Sequence, residues 1–311
     1  MVDEKVTVLL WLYHHDLWPE FLKLLLPLEP HIKLHIGLYY QHSSKKIEYD
    51  AIKYFEDVHL NVYDNYGADL PCFLNQLQSV DTDLFIKIHS KKSMWGVKSS
   101  VNWRAVLLQD LIGSIDILRS NMKQASENHK IGMISNKNLL LDNRELAHTN
   151  KIKELCKIIK VPYKRVAHSS FPAGNMFLGK TKIFQKYFND ITLPIIDEKL
   201  KKETGKVNEI QSGTFSHALE RMFGYIIKHE RLSFEHPNHR PIKILNDKAP
   251  DGYFNLILLY DNSCYIQEDL NMDGEIIENN KDYLIIEWKY LEPIIKQKYI
   301  KITHDTIVRD G

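Results

Sequence analysis

The stretch Ile86-Lys87-Ile88-His89-Ser90-Lys91-Lys92-Ser93 passes from apolar to cationic and hydroxylated within a few residues. A buried strand that ends this way sets fixed positive charge at the rim of a sheet. Charge developing on a departing diphosphate is stabilised there. His89, Ser90, Lys91 and Lys92 are therefore candidate diphosphate ligands, against the plainer reading of a solvated basic loop. The loop has no Asp-x-Asp, the carboxylate pair that would hold a divalent metal against the diphosphate. No cofactor is assigned, and a divalent metal is left open without that motif. Asn102-Trp103-Arg104 follows. The planar fork of Arg104 suits phosphate, while Trp103 reads equally well as a core anchor.

Three further stretches carry chemistry. Asp64-Asn65-Tyr66-Gly67-Ala68-Asp69 joins a strand to a helix. Asn65 and Gly67 supply the turn, and Asp69 can bond a ribose or base or simply cap the helix. Phe171-Pro172-Ala173-Gly174-Asn175-Met176-Phe177 is apolar, with Gly174 where backbone must come close to something. Phe171, Pro172, Gly174, Asn175 and Met176 are candidates for a sugar or acceptor pocket, with Arg221. In Gly213-Thr214-Phe215-Ser216-His217-Ala218-Leu219-Glu220-Arg221, His217 and Glu220 are three apart and share a helix face. Such a pair can move protons, although spacing alone also fits a surface salt bridge.

The elements that position these residues follow from periodicity. Short apolar runs at 6–13, 31–40, 58–63, 84–89 and 130–135 read as strands. Between them, 16–26, 69–78 and 101–124 read as helices, with Asp16 an N-cap, Pro71 near a helix start and a break at Gly113; 49–55 is helical or irregular. This alternation predicts an α/β fold with a mainly parallel sheet flanked by helices. Such sheets bind ligands outside the carboxyl ends of their strands. Helices are expected at 152–160, 180–188 and 212–228, with a charged, exposed segment at 197–206 between the last two. Beyond 231 the pattern turns β-rich, with strands at 254–260, 264–268 and 283–289 and a turn at Asn271-Met272-Asp273-Gly274. Two domains are expected, 1–230 and a β-rich extension 231–311.

Composition narrows the classes. Lys and Arg total 41 against 40 Asp and Glu, which argues against a general nucleic-acid binder. No run of about 18 apolar residues is present, so no membrane span is expected and only peripheral membrane contact is left open. Residues 1–5 lack the basic flank and cleavage site of a signal peptide. Cys72, Cys156 and Cys264 have neither metal nor redox spacing, which reads as reduced thiols in the cytoplasm.

Taken in order, the motifs resemble the rhamnan synthesis F family of polysaccharide-assembly proteins over about Val6 to Ile227. They are Asn65-x-Gly67-x-Asp69, Lys87-Ile88-His89-Ser90-Lys91-Lys92-Ser93, Trp103-Arg104 with Leu107-Leu108, Ile131-Gly132-Met133-Ile134, Phe171 to Phe177, and Gly213-Thr214-x-x-His217-Ala218-x-Glu220-Arg221. The resemblance implies a GT-A-like, Rossmann-related glycosyltransferase. Its partners would be a nucleotide-sugar donor and a glycan or lipid-linked glycan acceptor, with rhamnose or another hexose transferred. Asn65, Gly67, Asp69, His89, Ser90, Lys91, Lys92 and Arg104 would bind the donor. Where the family pattern often carries an acid before Gly-Thr, this chain has Ser212, so the base would be Glu209, Glu220 or another group, with His217 beside it. That departure also keeps a non-catalytic carbohydrate- or nucleotide-binding module as the alternative.

Overall fold

The computed structural model describes residues 5–40, 45–90, 92, 103–136, 140–142, 149–163, 169–203 and 213–235, and beyond these the strands at 243–245, 253–259, 264–267, 275–279, 283–289 and 299–302. Met1–Lys92 and Leu107–Asn238 form one compact unit, and Ser93–Val106 with His239–Gly311 a second.

The first unit is built on β1 (Val6–Leu12), α1 (Trp18–Leu25), β2 (Ile32–Tyr39), α2 (Lys45–Tyr54), β3 (Val58–Tyr63), α3 (Leu70–Leu77) and β4 (Leu84–His89). It continues with α4 (Trp103–Ile112) from Leu107 onward, α5 (Ile115–Glu127), β5 (Ile131–Ile134), β6 (Leu140–Asp142), α6 (Thr149–Ile158), β7 (Ser170–Pro172), β8 (Phe177–Lys180), α7 (Thr181–Tyr187), α8 (Leu193–Leu200), α9 (Phe215–His229) and β9 (Ser233–Glu235). A seven-stranded sheet runs β3-β2-β1-β4-β8-β5-β9. All its pairings are parallel except those of β8, which runs antiparallel to β4 and β5. The fold is α/β with a mixed, mostly parallel sheet, as the alternation predicts.

Burial follows position in the sheet. β1 and β4 are buried at every residue, as central strands covered on both faces must be. Edge strand β3 has no buried residue. Register sets Leu9 opposite Lys87 and Trp11 opposite His89, so the ends of β1 and β4 lie side by side. The core gathers Phe73, Phe85, Phe177, Phe184 and Phe223, with Phe85–Phe184 centroids at 5.1 Å and Phe73–Phe223 at 5.4 Å in edge-to-face contact.

Local chemistry explains the boundaries. The helical reading of 101–124 divides at Gly113, and Ser114 restarts it as α5 by accepting from the Ile117 N–H at 3.2 Å. Thr214 caps α9 in the same way through the His217 N–H at 3.1 Å. Two expectations are corrected. The segment at 197–206 begins inside α8, whose Ile196 and Leu200 are fully buried while its lysines and acids face outward. Asp16 does not cap α1; it lies in a short 3-10 turn, His15–Leu17, and pairs with Lys92.

The second unit contains β10 (Lys243–Leu245), β11 (Tyr253–Leu259), β12 (Cys264–Gln267), β13 (Glu275–Asn279), β14 (Tyr283–Lys289) and β15 (Tyr299–Ile302). They form an antiparallel sheet β10-β11-β14-β13 and a pair β12-β15. The turn expected at 271–274 lies outside the described residues.

Two stability predictions follow from this packing. A Cβ at Gly224 of α9 would meet the Ser170 carbonyl oxygen at 1.9 Å, a backbone atom of β7. Gly224→Ala is therefore expected to destabilise by at least about 1–3 kcal/mol in denaturant titration. His35 is buried against the His59 ring at 4.6 Å, and Asp57, Asp81 and Lys33 are also close enough to act on it. Desolvation, then His59, pulls its pKa from 6.5 to about 4. The unfolded chain takes up this proton from about pH 6.5 and the folded chain only near 4, so stability falls as pH drops through that window. His35→Asn should remove this part of the slope in denaturation midpoints measured between pH 4 and 7.

Candidate functional site

Lys87 and His89 are two apart on β4 and so share one face at its carboxyl end. Lys87 is 1% exposed. Its Nζ donates to Asp69 Oδ2 and, at 2.8 Å, to the backbone oxygen of Asn175, and it lies 5.3 Å from the centre of the Phe73 ring. Burial pulls the Lys87 ammonium below the usual lysine value, while the hydrogen-bonded Asp69 carboxylate and the more distant charge of Glu220 pull it back up.

Asp69 comes to this position through an unusual backbone. Gly67 and Ala68 both have positive φ, 57° and 59°. A Cβ on Gly67 would sit 2.9 Å from the Leu200 side chain, so only glycine fits there without displacement. Asp69 occupies the cap position of α3, yet its side chain makes no capping bond. Its carboxylate turns instead to Lys87 and to Asn175, whose Nδ2 donates to Asp69 Oδ2 at 2.9 Å. The capping alternative read from sequence is therefore not what this side chain does.

The third component is the turn before β8. The Asn175 N–H bonds the Pro172 carbonyl at 3.2 Å, with Gly174 at the φ of 84° that a type II turn requires at its third residue. Asn175 itself sits at φ 56°, a left-handed conformation sparsely used by residues other than glycine. The turn aims two carbonyls at β4. Asn175 O meets Lys87, and Gly174 O lies 2.9 Å from His89 Nε2. Asp69, Lys87, His89, Gly174 and Asn175 thus converge at the carboxyl edge of β4.

The other candidates stand outside this set of contacts. Ser90 ties β4 to β1, accepting from the His14 N–H at 2.8 Å and donating its own N–H to Trp11 O at 2.9 Å. Lys92 reaches Asp16 in an exposed ion pair. Asn65 is half-buried beside Tyr66, whose hydroxyl bonds Asp197 at 2.5 Å. Phe171, Pro172 and Met176 are buried, with the Arg221 guanidinium 4.6 Å over the Phe171 ring and donating to His217 O at 3.0 Å. His217 Nδ1 lies 2.5 Å from the Thr214 hydroxyl, and Glu220 is half-buried on α9. Arg104 is buried in the first turn of α4. Lys91, Asn102, Glu209 and Ser212 lie outside the described residues. No group of three His, Cys, Asp or Glu among the described residues is arranged to hold a metal.

Two features were not singled out from sequence. Lys87 was read as strand interior, although its place two residues before His89 was a signal that both face one way. An aromatic row also gathers at the carboxyl ends of β1, β2 and β3. Tyr13 stacks on Tyr39 at 5.0 Å, Tyr40 follows at 5.2 Å, and Trp11 meets Tyr63 edge-on at 6.2 Å. An aromatic residue at or just past the end of each of three strands was its signal.

The mostly parallel sheet flanked by helices defines an α/β protein, and its polar side chains converge at the carboxyl edge, where such sheets bind ligands. The chain belongs to the family of rhamnan synthesis protein F, whose model matches residues 1–232. Its place is thereby in rhamnan polysaccharide synthesis. No individual curated protein matches it. No helix among the described residues is long and apolar enough to cross a membrane.

The ion pair has an asymmetric consequence. The Asp69 side chain is 13% exposed and that of Lys87 2%. Asp69→Asn strands a buried ammonium and should destabilise by about 3–5 kcal/mol, whereas Lys87→Met leaves a carboxylate that reaches water and should cost less. Chemical denaturation of both variants measures the order.

Proposed function

We propose that the chain transfers a sugar, rhamnose or another hexose, from a nucleotide-sugar donor to a cell-surface glycan, through a GT-A-like site. The observation that carries this reading is the Lys87–Asp69–Asn175 cluster at the carboxyl end of β4, in a chain whose family works in polysaccharide synthesis. A buried ion pair is weak evidence for stability, because well-packed apolar residues often replace one at no loss. A functional constraint accounts for retaining it.

In this reading the nucleoside lies across the ends of β1 to β3. The aromatic row stacks the base, and the loop with Asn65, Gly67 and Asp69 meets the ribose or sugar. His89, Lys91 and Lys92 hold the diphosphate. Lys92 is available for that role because its pair with Asp16 is exposed, and exposed pairs contribute only about 0–1 kcal/mol. Glu220 on α9 is near enough for its charge to act on Lys87, which favours it as the base that deprotonates the acceptor hydroxyl. His217 and Arg221 lie on the same helix, and Phe171 to Met176 shape the acceptor side.

Asp69 already pairs with an ammonium, which makes it a poor ligand for a divalent cation; turnover is therefore expected to persist in EDTA. The deciding experiment incubates the purified chain with a panel of nucleotide sugars, including dTDP-rhamnose, and a glycan acceptor, and follows release of nucleoside diphosphate. Lys91→Ala with Lys92→Ala should lower the transfer rate by about 10²-fold or more, since one lost charge-stabilising donor typically costs ~10²–10³. Unchanged turnover in the double variant rejects the electrostatic role. If no sugar is released or transferred from any donor, while nucleotide or glycan still binds, the chain is instead a binding module, the reading favoured by Ser212 in place of an acid.

A further inference from the structure

Asn175 is 5% exposed, and its polar groups are assigned one by one. The backbone oxygen accepts from Lys87 at 2.8 Å, the backbone N–H donates to Pro172 O at 3.2 Å, and Nδ2 donates to Asp69 Oδ2 at 2.9 Å. The remaining atom, Oδ1, is buried with no hydrogen-bond partner among the described residues. Rotating the amide by half a turn does not relieve this. It would bring Oδ1 against the carboxylate oxygen that accepts from Lys87, leaving two acceptors face to face. Asp69 therefore fixes the amide, and the amide presents an acceptor. Leaving that acceptor empty is costly, and the left-handed backbone of Asn175 adds strain at the same residue.

We propose that Asn175 is a specificity-determining residue that reads a hydroxyl of the bound sugar nucleotide, its Oδ1 accepting the hydrogen bond of a ligand O–H. The inference rests on the glycosyl-transfer reading and refines it. Phosphate oxygens only accept hydrogen bonds at neutral pH, so they gain nothing from Oδ1 and are repelled by Asp69. The Lys87 ammonium is already engaged by Asp69 and Asn175 O. The wall formed by Asp69 and Asn175 thus offers acceptors and selects donors. It belongs to the hydroxyl-bearing part of the ligand, with the diphosphate elsewhere along the edge.

The test uses Asn175→Gly. Glycine takes φ 56° without steric cost and keeps the carbonyl that Lys87 needs, so the fold is retained while the amide is removed. Affinities of dTDP-rhamnose, UDP-glucose and GDP-mannose, each with its own nucleoside diphosphate, are measured by calorimetry for the wild-type and variant full chains. Thermal unfolding of both chains confirms that the variant folds. The expected result is sugar-nucleotide binding weakened roughly five- to tenfold, the effect of about one hydrogen bond, with nucleoside-diphosphate binding unchanged. Equal weakening of both ligands would assign Asn175 a purely structural role and overturn the proposal. So would an unchanged sugar-nucleotide affinity, which would mean that water satisfies Oδ1. A wild-type chain that binds none of the six ligands rejects the glycosyl-transfer reading, and this inference with it.

Discussion

A lysine ammonium inside a sheet must find an anion, and the carboxyl edge of β4 is organised around that requirement. Lys87 draws Asp69 away from capping α3 and draws the turn before β8 inward through the carbonyl of Asn175. Four residues with positive φ, Gly67, Ala68, Gly174 and Asn175, flank the contact on its two sides. Parallel strand β4, the start of a helix and the entry to an antiparallel strand are therefore locked by one charge. Apolar packing would join them at lower cost, as it does a few ångströms away among Phe73, Phe85 and Phe177. Strain and a buried charge at the same place are the signature of a site whose geometry answers to something other than stability.

Much of the fold was legible because central strands of a parallel sheet are short continuous apolar runs. The run at 84–89 coincides with β4, and that at 6–13 with β1 to within one residue. The same property concealed what mattered most in β4. A strand buried on both faces shows no alternation, so nothing in the apolar run marked which face Lys87 would take. β8 was not legible because four residues, Phe177-Leu178-Gly179-Lys180, give too little pattern between a Gly-Asn turn and a helix. The second half of α8 reads as part of the exposed segment at 197–206 because its charged outer face dominates the local composition, whereas only its partners in the core identify Leu200, with Ile196 before it, as the inner face.

The site was legible as a set of motifs but not as a set of contacts. Asp69, His89, Gly174 and Asn175 were marked by residue type and position, and they do come together. Their roles depend on pairings between residues 18 to 106 positions apart, which sequence spacing does not encode. Asp69 before a helix is normally a cap; only the presence of Lys87 across the gap redirects it. The aromatic row is similar: Tyr13, Tyr39 and Tyr63 lie at or just past the ends of different strands, and only the parallel register brings their neighbourhoods into line.

Charge balance then divides the edge into two parts. Lys87 and Asp69 neutralise each other, so the cluster itself contributes no net positive field. In the proposed reading, whatever attracts a diphosphate comes from His89 at the end of β4 and from the lysines just beyond it. Ser90 fixes where the chain leaves the sheet, because both its hydroxyl and its N–H are tied to the β1 side. Past it, the Lys92 ammonium is screened by solvent and pairs with an exposed aspartate, so exchanging that partner for a phosphate costs little. The buried pair cannot exchange so easily, because separating it would leave charges in a medium that solvates them poorly. In the proposed reading, the buried residues form an inner wall of acceptors that suits hydroxyls, and the exposed Lys92 beyond them suits phosphate.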